Sequence, residues 1–198
     1  MNDMNDDSSD SVIVKARSRA GYREQRVLAA ARRLGLSHGL RAVTMEAIAR
    51  EAGIAKPTLY KHFASKDDVF AGVMEALIAE MTAGFDAALA ADGPVIDRVA
   101  DALVAKHGAA FRLLEGSPHA GELYGAHDHL AGVQFKALET LIRERLTDVL
   151  SVEGMTNAGV MVPLLMAGVH GIAMTATTLD DLRWGIQTAA HRLLGPDL

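Results

Sequence analysis

Apolar residues in this chain return every three or four positions and almost nowhere every second one. That spacing leaves α-helices as the regular structure able to bury them on one side. Val27, Ala30, Ala31 and Leu34 fall at i, i+3, i+4 and i+7, which predicts a helix over about 19–37, with Gly39 free to adopt the left-handed conformation that ends it. Thr44 suits an N-cap, and Met45, Ile48 and Ala49 make a short second helix that stops at Gly53. Pro57 fits the first turn of a third helix, where its missing N–H costs nothing. Ser65 and Asp68 form an S-x-x-D capping box that opens a fourth, carrying Phe70, Met74, Leu77, Met81 and Phe85 on one stripe. Ala91-Asp92-Gly93-Pro94 breaks the pattern, which resumes to about Leu114 and is cut again at Gly116-Ser117-Pro118. A strongly amphipathic helix then runs through Phe135, Leu138, Leu141, Ile142, Leu146, Val149 and Leu150. The fold class is all-α.

Residues 154–179 contain no charged side chain, and about 20 apolar residues suffice to span a bilayer. Pro163, His170, several Thr and glycines 159, 168 and 171 lower the apolarity, and no basic residue anchors either end. The stretch therefore reads as a helix buried against a partner subunit. Ala167, Gly168, Gly171 and Thr175 would let two such helices approach closely.

Charge is distributed unevenly within 198 residues whose formal net charge is -5. Residues 1–14 hold four acids and no base. Residues 15–66 hold twelve Lys/Arg against Glu24, Glu46 and Glu51, a net +9, and residues 67–198 carry -10. A basic block joined to an acidic remainder is the pattern of a polyanion-binding module attached to something else. There is no cysteine, which excludes disulfides, thiolate metal sites and a cysteine nucleophile. The start, MNDMNDDSSD, has neither the basic nor the apolar segment of a secretory signal, so a cytoplasmic location is expected.

Inside the basic block, residues 44–63 describe two short helices joined by Ala52-Gly53-Ile54, a helix-turn-helix. In that motif the second helix enters the major groove while the first crosses the backbone. The segment TMEAIAREAGIAKPTLYKHFASKDDVF resembles the DNA-binding signature of the TetR family of bacterial transcriptional regulators, and the likeness runs from about Arg19 to Val73. The resemblance implies that Thr44 caps the second helix and touches a phosphate. It implies that Lys56, Pro57 and Thr58 open the recognition helix, that Tyr60, Lys61 and His62 complete its DNA face, and that Lys66 grips a further phosphate. Ala55 departs from the Ser or Thr usual in the family, which removes a helix cap. Leu59 and Phe63 read as packing residues of the small core.

The resemblance divides the chain into a disordered tail over 1–17, a DNA-binding domain over 18–66 and a helical ligand-binding and dimerisation domain over 67–198. It implies a ligand-released repressor, acting on a near-palindromic duplex as a homodimer joined through the C-terminal helices. An unidentified small-molecule effector would bind in the last domain. Met74, Met81, Phe85, His107, Phe111, Tyr124, Met166 and His170 are candidate lining, and each could equally be ordinary core. His119, Glu122, His127, Asp128 and His129 form the densest set of potential metal ligands and supply the alternative reading, a metal-dependent or metal-sensing protein. His127 and His129 would point to opposite sides of a helix, no H-E-x-x-H occurs, and no G-x-S-x-G nucleophile elbow is present. These patterns offer no reason to expect an enzyme, a resident cofactor or a bound metal.

Overall fold

Helix-stopping glycines and side-chain caps divide the chain into its elements. The structure, a computed structural model, describes the backbone of residues 7–195, and the side chains within it except those of 7–20, 120, 121 and 123–129. The helices are α1 (Asp7–His38), α2 (Met45–Glu51), α3 (Lys56–His62), α4 (Lys66–Leu89), α5 (Val95–Leu114), α6 (Ala120–Val152), α7 (Ala158–Thr175) and α8 (Leu179–Leu194). No strand occurs among the described residues. The first helix begins twelve residues before the expected Arg19, within the segment read as a disordered tail.

The chain forms two compact units, and α4 and α6 each contribute to both. The first comprises the residues up to Val73 together with Pro118–Gly125. Its core is the face expected of α1, with Val27, Ala30 and Ala31 fully buried, closed by Ile48, Leu59 and Phe63 from α2, α3 and the residue after it. The second comprises Met74–Ser117 and Ala126–Leu198. There α5 packs along α8, and α8 along α7. Gly185 lies so close to α7 that a Cβ would sit 2.7 Å from Ile172 Cγ2. The α4 stripe, Phe70, Met74, Leu77, Met81 and Phe85, is buried throughout. α8 opens on a capping box in which the Thr178 hydroxyl accepts from the Asp181 amide and the Asp181 carboxylate accepts from the Thr178 amide.

The uncharged stretch is α7. Its 18 residues have mean hydropathy 1.6, enough in length and composition to cross a membrane, and 22% of them are buried. Ala158, Val162, Leu165 and Val169 face the unit's own core. Val160, Leu164, Ala167, Gly168, Gly171 and Met174 are exposed on the other side, and Leu164 keeps 54% of its surface. Around Gly159, Gly168 and Gly171 nothing would meet an added Cβ.

Candidate nucleic-acid interface

The turn between α2 and α3 is built from three local devices. Thr44 caps α2, its hydroxyl accepting from the Ala47 amide at 3.2 Å. Gly53 follows at φ +63, a conformation that costs a residue bearing a Cβ roughly 1–2 kcal/mol. Arg26 of α1 donates from Nη2 to the Ala52 carbonyl, tying the turn back to the first helix. α3 then starts on Ala55 with no side-chain cap, as its methyl requires, and Pro57 occupies the first turn. The carbonyl of Ala55 still accepts from the amides of Thr58 and Leu59.

These devices leave one face of α3 outward. Leu59 is fully buried and Phe63 nearly so, whereas Lys56, Pro57, Tyr60, Lys61 and His62 are exposed and Thr58 is half-buried. Tyr60 keeps 45% of its surface in water, which leaves its hydroxyl open to donate or accept outside the chain. The Lys56 ammonium pairs with the Glu46 carboxylate across the turn and lies 5.8 Å from the Tyr60 ring centre. That ion pair holds the Glu46 carboxyl below its ordinary range and raises the Lys56 ammonium. Glu51 is paired with Arg33 at 3.0 Å, so two of the three acids in the basic block are neutralised internally. Lys61 has no ion-pair partner among the described residues.

Lys66 is placed differently from a simple phosphate contact. It is half-buried, and its Nζ donates to the Leu40 carbonyl at 2.8 Å. Ser65 and Asp68 cap α4 reciprocally, at 3.1 Å for the hydroxyl and 3.0 Å for the carboxylate. Sequence reasoning also passed over Arg26 and Glu46, because the partners that give them roles are fixed only by the tertiary fold.

The candidate pocket residues differ in burial. Met74, Met81 and Phe85 are packed into the core. His107 and Phe111 on α5, and Met166 on α7, are half-buried, while His170 on α7 is exposed. The Tyr124 side chain lies outside the described residues. Lys106, unremarked in the sequence, is 3% exposed; its ammonium pairs with Glu139 of α6 and stands 3.3 Å from His107 Nε2. Burial, then the Lys106 ammonium and His170, push His107 from 6.5 down to about 3, so its ring is neutral at pH 7. Two open surface grooves, of about 500 and 640 Å³, border Arg143 and Asp148 in one case and Trp184 and His191 in the other, and no candidate pocket residue lines either.

Of the histidine cluster, His119 and Glu122 are described, 3.8 Å apart, and the side chains of His127, Asp128 and His129 are outside the described residues. No group of three or more potential ligands that could hold a metal ion occurs among the described residues.

The profile of the family described as "Bacterial regulatory proteins, tetR family" matches residues 27–73, the segment that contains the capped turn and the exposed α3 face. The likeness to that family covers this N-terminal segment, about a quarter of the chain. The chain is similar to the HTH-type transcriptional regulator EthR of Mycolicibacterium smegmatis, 35% identical over 74 residues, which are 37% of this chain. The match spans about a third of that relative's length, 34%. The fold of a transcriptional regulator from Rhodococcus sp. Rha1 is similar over 88% of this chain and 98% of that one, with a TM-score of 0.65 and 23% identity. The TetR family transcriptional regulator PfmR from Thermus thermophilus is also similar, with a TM-score of 0.62 over 85% of this chain and 97% of the other, at 17% identity. At these identities the two structures speak for the fold alone, an N-terminal helix-turn-helix followed by a helical C-terminal region.

Proposed function

We propose that this chain is a TetR-type, sequence-specific DNA-binding transcriptional regulator of the cytoplasm, a homodimer that represses until a small molecule releases it. The carrying observation is the exposed face of α3, presented by a turn that Thr44, Gly53 and Arg26 hold rigid. Tyr60, Lys61 and His62 are the base-edge and phosphate contacts, with Lys56, Pro57 and Thr58 at the helix start, where a recognition helix meets the bases. Thr44 lies at the N-terminus of α2, where amides can meet a phosphate. A helix this short reads only a few base pairs, so a pair of copies related by two-fold symmetry reads a near-palindrome.

The second copy docks on the outward face of α7 and α8. Val160, Leu164, Gly171 and Met174 follow one another at helical spacing on α7, and Trp184 of α8 keeps 72% of its surface exposed. The effector would be held by His107 and Phe111, one turn apart on α5, with Met166 and His170, one turn apart on α7, where His170 is near enough to act on the charge of His107. An electrophoretic shift of the DNA flanking the protein's own coding region tests the function. A discrete complex that resists excess unrelated duplex is expected, and equal competition by any duplex would contradict it.

A further inference from the structure

Glu122 is some eighty residues away from the helix-turn-helix in sequence, yet its side chain reaches the turn before α2. The Arg41 amide donates to Glu122 Oε1 at 3.2 Å. The carbonyl of that same peptide group, Leu40 C=O, accepts from Lys66 Nζ at 2.8 Å. One peptide plane is therefore held at its two ends by side chains of opposite charge, an ammonium from the start of α4 and a carboxylate from the first turn of α6. Gly39, just before it, has φ +79, and a Cβ there would lie 2.5 Å from Glu122 Oε2 and 2.9 Å from His119 Nδ1. Three residues beyond Arg41 stands Thr44, the cap of α2.

We propose that Glu122 is a positioning residue for DNA binding: with Lys66 it clamps the Leu40–Arg41 peptide and so fixes the turn from which α2 and α3 are aimed. The inference rests on the DNA-binding reading, and it gives Lys66 an internal task in place of a phosphate contact.

Three readouts on the full chain decide it, with a duplex selected from a random pool as the probe. Glu122→Ala should bind about tenfold more weakly, the loss of one hydrogen bond to a charged acceptor, while the Arg41 amide exchanges faster with solvent. Glu122→Gln keeps an acceptor oxygen and should stay within about threefold of wild type. Lys66→Ala should weaken binding without changing the slope of log affinity against log salt, and Lys66→Ala with Glu122→Ala should lose no more than the worse single variant. A slope reduced by about 0.9 in Lys66→Ala would mean a lost phosphate contact and would overturn the clamp. So would unchanged Arg41 exchange in Glu122→Ala, or Glu122→Gln binding as poorly as Glu122→Ala. Wild-type protein that bound no duplex would instead remove the DNA-binding reading, with Arg41 exchange still deciding the clamp.

Discussion

Gly53→Ala places a methyl where the turn has the least tolerance for one. The backbone at φ +63 costs an alanine about 1–2 kcal/mol, and the new Cβ would stand 2.6 Å from Arg26 Nη2. Arg26 is a flexible side chain and can swing away, but doing so abandons its charge-assisted bond to the Ala52 carbonyl, a further loss of about 1.5–3 kcal/mol. The variant should therefore lose about 2.5–5 kcal/mol of local stability, read as faster amide hydrogen exchange across α2 and α3, and its affinity for DNA should fall with it. The two contributions separate in a double-mutant cycle. With Arg26→Ala as background the clash and the bond are both gone, so Gly53→Ala should cost only about 1–2 kcal/mol. An equal cost in both backgrounds, or a cost below about 0.5 kcal/mol in the wild-type background, would refute the reasoning.

Tyr60→Ala and Lys61→Ala should each weaken binding to a selected duplex about tenfold or more without changing the circular dichroism of the protein, since both side chains lie on the exposed face of α3. Leu164→Glu should turn the dimer into a monomer in sedimentation at unchanged helix content, whereas its neighbour Leu165, fully buried, should on replacement by Ala lose about 2–5 kcal/mol of stability and remain dimeric. The pKa of His107 in the folded state, about 3, lies below its ordinary value of 6.5, so the unfolded chain takes up the proton first as pH falls. Its contribution is full above about pH 6.5 and declines by about 1.4 kcal/mol per unit below it, a loss of roughly 2 kcal/mol by pH 5. Denaturant unfolding of wild type against His107→Gln should show that difference, and parallel curves would contradict it.

Most of the fold was legible because its boundaries are written locally. Gly39 and Gly53 adopt the left-handed conformation that ends a helix or turns the chain, Thr44 and the Ser65–Asp68 pair cap as their spacing implies, and Gly116-Ser117-Pro118 separates α5 from α6. The exposed side of α3 followed from the same logic, since Leu59 and Phe63 fix which face is inward. Pairings across long stretches of chain were not legible. Charged residues default to the surface, so periodicity offers no sign that Lys106 is buried against Glu139, or that Lys66 turns back to Leu40. Apolar side chains at helical spacing also do not say which side of a helix a second copy covers. Leu164 and Leu165 are chemically identical, and only the packing of α7 on α5 and α8 sends one outward and the other in.

In the proposed function a pair of these chains reads a two-fold DNA site with the exposed face of α3. Repeated selection from a random-sequence pool, followed by titration of the enriched duplex at increasing salt, tests this. The enriched sequence should be a near-palindrome whose half-site centres lie about one helical turn, or a multiple of it, apart. Its affinity should fall steeply as salt rises, by about 0.9 in log–log slope for each phosphate neutralised. No enriched sequence, or an enriched duplex bound with an affinity indifferent to salt, would contradict it.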